Sequence, residues 1–308
     1  MRSAPALLSA AALVTTLTGA PPAAAYAAPS PLPPLTRPDA RYAAVQADIG
    51  RALTAAHRYG EGGRVRVLAA FRGRTFLSFD PRGAGRAVEV LGDPATAQRI
   101  AVVVPGADND LGDYDSVKFV GGAARSLYEQ AGRLSPGARL AVVAWLGYDP
   151  PRTAGLSVLS TGRAEKGSRA LVSFTRELRA LNPSAELALV CHSYGSVVCA
   201  KAAPDVRASD IALIGSPGTT ADRAADLSPS TRFPATRVWA ARSGGDWTRF
   251  VPNVRFFKLG FGRDPVSREF GARPFPAGDG THADYFKPGG ESVRNLALIA
   301  LGAQVPRG

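Results

Sequence analysis

Leu187-Ala188-Leu189-Val190-Cys191-His192-Ser193-Tyr194-Gly195-Ser196-Val197-Val198-Cys199-Ala200 is the stretch that decides the fold. The five residues from Leu187 to Cys191 show no polar alternation and read as a strand buried on both faces. The small and β-branched residues from Ser196 to Ala200 read as a helix, and Ser193 stands at the apex of the sharp turn between the two. Such a turn holds its central residue in a strained conformation and projects the hydroxyl above the C-terminal edge of the sheet. The first helical N–H groups point at the same spot. Small residues two before and two after the serine let helix and strand approach. Gly195 meets that demand, and position 191 carries Cys where the usual pattern has Gly.

Working outward, short β-branched runs recur at Val65–Phe71, Thr75–Phe79, Ala87–Leu91, Ile100–Val104, Leu140–Trp145, Ile211–Ile214 and Val238–Ala240. Helical segments are expected at Ser116–Gln130, Arg163–Leu181 and Tyr194–Ala203. An amphipathic helix over Arg41–Tyr59, with Val45, Ile49, Leu53 and Ala56 on one face, opens the domain. Continuous apolar strands alternating with helices predict an α/β fold with a mostly parallel central sheet and helices on both faces. The first three runs, close together and hairpin-like, predict an antiparallel N-terminal edge. There is no internal repeat and no coiled-coil heptad.

A nucleophilic serine needs a base and an orienting acid, and the chain has only three histidines. His192 adjoins Ser193 and cannot turn onto its hydroxyl, and His57 lies in the first helix. In serine catalysts built on a strand-turn-helix elbow the order is Ser, acid, His, which leaves His282, in the loop Gly278-Asp279-Gly280-Thr281-His282-Ala283-Asp284-Tyr285 after a last strand around Arg273–Ala277. Two acids compete. Asp246 follows the strand Arg237–Ala241 in Ser243-Gly244-Gly245-Asp246, and Asp264 sits in Gly262-Arg263-Asp264-Pro265 after the run Val254–Leu259. Asp205, Asp210, Asp222 and Asp226 read as turn or cap residues. For an oxyanion, the Tyr194 N–H directly after the nucleophile is one donor. Ala107 N–H, in the turn Val104-Pro105-Gly106-Ala107, is the second. The same loop carries Asp108, Asp110, Asp113 and Asp115, but its glycine is misplaced for a calcium loop and no Glu closes it. Turns and capping of a helix at Ser116 are expected there, with no metal and no cofactor.

The 308 residues are 45% hydrophobic, enough for one catalytic domain with a substantial core, which excludes intrinsic disorder. After Arg2, Ala4 to Ala20 carries no charge, and small residues at A-x-A spacing follow, which predicts a secretory signal peptide over 1–27 with cleavage after Ala27 or, alternatively, Ala25. Prolines 29, 31, 33, 34 and 38 mark 28–40 as an extended, poorly packed linker, so the catalytic domain is expected over 41–308. The net charge of +12 falls to +11 when Arg2 is removed. Only five of the basic residues are Lys, so arginine-biased composition explains the charge better than nucleic acid does, although an anionic envelope surface remains a fitting partner.

Seven segments together resemble an actinobacterial α/β-hydrolase domain family of unknown function. They are Val-Pro-Gly-Ala at 104–107, Ala-Trp-Leu-Gly-Tyr at 144–148, Cys-His-Ser-Tyr-Gly-Ser at 191–196, Ile-Gly-Ser-Pro-Gly at 214–218, Gly-Asp-Trp at 245–247, Phe-Gly-Ala-Arg at 270–273 and His-Ala-Asp-Tyr-Phe at 282–286. The resemblance implies the α/β-hydrolase fold and a triad of Ser193, Asp246 and His282, with Asp264 still a family-like alternative. The expected activity is that of a secreted serine hydrolase, extracellular or wall-associated, cleaving a small-molecule or lipid ester or a related acyl bond. An acyltransferase acting on an envelope sugar or lipid with the same triad, and a non-catalytic envelope-binding protein on this scaffold, are the alternatives. Cys191 and Cys199 are the only cysteines. Cys199 lies one helical turn after Gly195 and faces the strand, which is compatible with a disulfide or with two buried thiols. Trp145 to Pro151 should overhang the sheet edge, and the segment on to Gly162 reads as a short lid or pocket wall, with ordinary packing of Trp145 as the other reading.

Overall fold

A computed structural model describes residues 26–154, 160–228, 235–251 and 260–306. Most of the expected signal peptide, the run Val254–Leu259 and residues 155–159 of the expected lid segment lie outside the described residues. Two helices come first, α1 (Pro38–Arg58) and α2 (Gly62–Phe71), and two strands follow, β1 (Phe76–Asp80) and β2 (Arg86–Leu91). Then come β3 (Arg99–Val104), α3 (Val120–Leu134), β4 (Leu140–Leu146), α4 (Gly162–Leu181), β5 (Glu186–His192) and α5 (Gly195–Ala202). β6 (Ala208–Ile214), β7 (Arg237–Ala241), the two-residue β8 (Arg273–Pro274) and α6 (Glu291–Leu301) complete the order.

The eight strands form one sheet in the order β1-β2-β4-β3-β5-β6-β7-β8. β2 pairs antiparallel with both β1 and β4, and every other pairing is parallel. This is an α/β-hydrolase sheet with an antiparallel N-terminal edge. Side chains two apart share a face of a strand, and β3 and β5 show it. Ile100, Val102, Val104, Leu187, Leu189 and Cys191 enter one core layer, with Leu171, Leu178, Val197 and Val198 of α4 and α5. Ala101, Val103, Ala188 and Val190 enter the other, with residues of α1, α2, α3 and α6.

The N-terminal edge differs from the sequence reading. Val65–Phe71 is helix, not strand, because Leu68 and Phe71, three apart, bury together against Phe76 and Tyr114. Residues 26–37 are also not a loose linker. Leu35 is 2% exposed, Ser30 N–H donates to Asp48 (3.1 Å), and the Tyr26 ring is buried with its hydroxyl donating to Glu61 and the Arg64 guanidinium 4.9 Å over it. Helix α1 begins at Pro38, ahead of the expected start of the domain at 41. Asp210, read as a turn or cap, is a fully buried strand residue that accepts from Arg99, Arg237 and the Trp239 indole.

Cys191 on β5 and Cys199 on α5 form a disulfide. Both point into the same core layer, so the covalent tie fastens the helix to its strand on either side of the turn that carries Ser193. Trp145 packs in the core, stacked on Tyr148 at 5.8 Å, and so takes the ordinary packing role.

Candidate active site

The turn after β5 places Ser193 at φ 53°, a left-handed conformation unusual for a residue with a side chain. The strain is held from both sides. Ser193 N–H donates to Ile214 O at 2.9 Å, and the loop after β3 passes so close that a Cβ at Gly106 would lie 2.7 Å from the Ser193 Cβ. Gly195 is equally constrained, since a Cβ there would meet the Val104 carbonyl at 2.5 Å. The small residue two after the serine is therefore required by backbone approach.

His282 opens onto the same cleft as Ser193, and its Nδ1 lies 2.9 and 3.0 Å from the two oxygens of Asp246. Asp246 is fully buried and accepts further from the Tyr285 hydroxyl (2.5 Å) and the Thr248 N–H (2.8 Å). Burial alone would raise its pKa. Hydrogen bonds from His282, Tyr285 and the Thr248 amide outweigh that and hold the carboxyl well below the usual carboxylate range. An ionised Asp246 only accepts, so the bond to it calls for the Nδ1–H tautomer of His282, in which Nε2 is the free nitrogen. Asp264 is not in this position. It is engaged bidentately by Arg242 at 2.8 Å through both oxygens, and among the described residues it has no bond to His282.

Two residues complete the network that sequence reasoning missed. Tyr285 accepts from Ser243 N–H (3.1 Å) while donating to Asp246, so it ties the His282 segment to the loop after β7 that carries the carboxylate, and burial followed by the Asp246 bond pushes its own pKa well up. His192, set aside as a base, uses Nε2–H to donate to the His282 carbonyl at 3.0 Å, with the two rings 4.7 Å apart. Its adjacency to Ser193 was visible, but the partner ninety positions later was not. Burial and the neighbouring His282 lower the His192 pKa to about 3, against the ordinary 6.5. The unfolded chain therefore binds a proton at His192 between these values that the native protein excludes, and stability rises with pH across that window. Asp246 adds the same sign below its ordinary 3.8. We expect urea-unfolding stability to fall from pH 6.5 toward 3, and His192→Phe to flatten that limb. Stability constant over the interval in the wild type would refute the assignment.

Ala107 and Tyr194 line the cleft, and among the described residues neither backbone N–H has a protein acceptor. The Tyr194 side chain is occupied elsewhere, its hydroxyl donating to Ser160 O (2.7 Å) and accepting from Ala164 N–H (3.1 Å). Three of the aspartates after Ala107 are engaged by neighbouring protein groups. Asp108 accepts from Thr153, Asp110 from Gly112 N–H and Arg152, and Asp115 from Arg74 and Arg125. Helix α3 starts at Val120 and not at Ser116, with Asn109 Oδ1 accepting the Val120 N–H (3.0 Å) in place of a serine cap. Among the described residues no group of His, Cys, Asp and Glu side chains is arranged to hold a metal.

The cleft measures about 490 Å³ and includes Phe119, Pro217, Trp247, Val251 and Phe261, an apolar lining around a few polar groups. Two hollows of about 770 and 720 Å³ lie at the N-terminal ends of the strands, lined by Arg237, Trp239 and Arg273 or by Arg99, Arg139 and Asn182, and neither holds a serine-histidine pair.

Comparison with known proteins finds relatives of the chain. A family profile described as alpha/beta hydrolase matches residues 80–256. The uncharacterized protein Rv2079 of Mycobacterium tuberculosis is 30% identical over 264 residues, covering 73% of this chain and 39% of its own length. The chain thus spans about two fifths of that curated relative. Among solved structures, a lidless a/b serine hydrolase, XC6422 of Xanthomonas campestris, is 16% identical with a TM-score of 0.41, covering 73% of this chain and 91% of that one. Esterase PE8 is 12% identical with a TM-score of 0.48, covering 71% and 99%.

Proposed function

Because the chain belongs to the alpha/beta hydrolase family, we propose that it is a serine hydrolase cleaving an ester or related acyl bond through Ser193, His282 and Asp246. The observation that carries this reading is the Ser193 elbow at positive φ opening onto the same cleft as His282, whose other ring nitrogen is held by the buried Asp246. Ser193 Oγ attacks the carbonyl carbon as His282 Nε2 takes its proton, and the oxyanion is received by the Tyr194 and Ala107 N–H groups. Collapse of the tetrahedral intermediate breaks the bond to the leaving alcohol, which takes the proton from His282. Water then repeats the sequence on the acyl-serine, its proton passing to His282 and on to Ser193 as the acid departs.

A fluorophosphonate probe tests this directly. Covalent labelling of the wild type, abolished in Ser193→Ala and in His282→Ala, is the expected result. Folded wild type that does not label would falsify the proposal.

The same reading includes export. It is supported by the charge-free stretch Ala4–Ala20 with its small-residue cleavage sites, and by the Cys191–Cys199 disulfide, which suits an oxidising compartment. Cleavage after Ala25 keeps the buried Tyr26 contact with Glu61 and Arg64, whereas cleavage after Ala27 discards it, so the contact favours Tyr26 as the mature N-terminus. The intact mass of protein from a culture supernatant decides between the two.

A further inference from the structure

Four large apolar side chains stand exposed among the described residues, and three of them fall between positions 247 and 266: Trp247 at 49%, Phe250 at 79% and Val266 at 37% exposure. Arg242 ties their two turns together. Its guanidinium grips Asp264, two residues before Val266, and donates to the Thr248 hydroxyl (3.3 Å), between Trp247 and Phe250. Trp247 brings this exposed set to the cleft, since it packs 4.8 Å from the His282 ring and lines the cleft together with Val251 and Phe261. Cations accompany the patch. Arg249 is exposed with its guanidinium 5.9 Å over the Phe250 ring, and Arg268 is exposed beside Val266. Among the described residues neither has a carboxylate partner.

Exposed aromatic side chains are costly to leave in water, and a cluster of them rimmed by arginines matches the boundary of an anionic bilayer. There the rings enter the acyl region and the guanidinium groups meet phosphate. The chain's net charge of +12 adds long-range attraction of the same sign. We propose that the face formed by Trp247, Phe250, Val266, Arg249 and Arg268 docks on a lipid surface with anionic headgroups and thereby sets the mouth of the Ser193 cleft against acyl esters held in that surface. The docking stands on the surface itself; the ester part rests on the serine-hydrolase reading.

Vesicle binding by the Ser193→Ala protein tests the docking without turnover. Trp145 and Trp239 are buried, so a blue shift of tryptophan emission reports Trp247. With phosphatidylglycerol-containing vesicles the expected result is a blue shift and co-sedimentation, weakened about tenfold or more by Phe250→Ser and weakened by Arg268→Glu or by replacing phosphatidylglycerol with phosphatidylcholine. In the catalytically intact protein Phe250→Ser should leave hydrolysis of a short soluble ester unchanged, and its thermal midpoint verifies folding. Equal partition of wild type and Phe250→Ser, or indifference to headgroup charge, overturns the proposal. So does a shift from dimer to monomer in Phe250→Ser without vesicles, which assigns the face to a second copy of the chain. Hydrolysis of the soluble ester without vesicle binding removes the docking alone, and vesicle binding without hydrolysis of any ester removes the hydrolase reading alone.

Discussion

Replacing Asp246 with Asn is expected to lower kcat for a short soluble ester by about 10⁴-fold, with little change in KM. The site needs an acceptor at Nδ1 of His282, and Asp246 offers two oxygens at 2.9 and 3.0 Å from it. An amide side chain also has to satisfy the Tyr285 hydroxyl and the Thr248 N–H, both donors. Turning its NH₂ toward His282 would favour the tautomer with the proton on Nε2, where it cannot take one from Ser193. The charge that stabilises the imidazolium is lost in either orientation. Tyr285→Phe should cost less, because His282 and Thr248 still hold the carboxylate, but it strands the Ser243 N–H. Asp264→Asn is expected to spare kcat, since that carboxylate serves Arg242. Steady-state kinetics on the three variants decides the matter, and a collapse of kcat in Asp264→Asn with retention in Asp246→Asn would reverse the assignment.

The largest expected loss of stability lies at the other end of the sheet. Asp210 has no exposed surface and accepts from Arg99 at 2.7 Å, Arg237 at 2.8 Å and Trp239 Nε1 at 2.9 Å. Arg99 also reaches the Ala300 carbonyl (2.8 Å), so the one carboxylate gathers β3, β6, β7 and the end of α6. Asp210→Ala leaves two guanidinium groups without their buried counter-charge and orphans the indole N–H, a change of about 3–5 kcal/mol for breaking a buried pair. Urea unfolding measures it, and a loss below about 1 kcal/mol would remove Asp210 as an organising residue. Fluorophosphonate labelling of the folded fraction should persist, because the cluster lies at the N-terminal ends of strands whose C-terminal ends carry the cleft.

The parts of the fold that were legible in the sequence are those with local causes. The parallel strands showed as apolar runs because both of their faces are buried, and the elbow showed because its strand, serine, glycine and helix follow one another in sequence, even though the close approach that requires Gly195 comes from Val104. His282 was singled out by elimination among three histidines. The rest depends on packing between distant segments. Val65–Phe71 has the composition of a strand, and only the aromatic cluster of Phe71, Phe76 and Tyr114 explains why a helix buries it better. The choice between Asp246 and Asp264 turns on which loop Arg242 and Tyr285 fasten, and no spacing rule encodes that. Nor does a proline-rich composition announce that Leu35 has a place in the core.

The covalent tie around the elbow has a practical consequence for anyone mapping the nucleophile. Trypsin finds no lysine or arginine between Cys191 and Cys199, so the peptide from Ala180 to Lys201 leaves the digest as a closed ring with Ser193 inside it. Cleaving one backbone bond within that ring releases no separate fragment. Unless the digest is reduced and alkylated first, a mass spectrometer can register an adduct on the peptide without locating it, and a labelled Ser193 would pass for an unassigned modification.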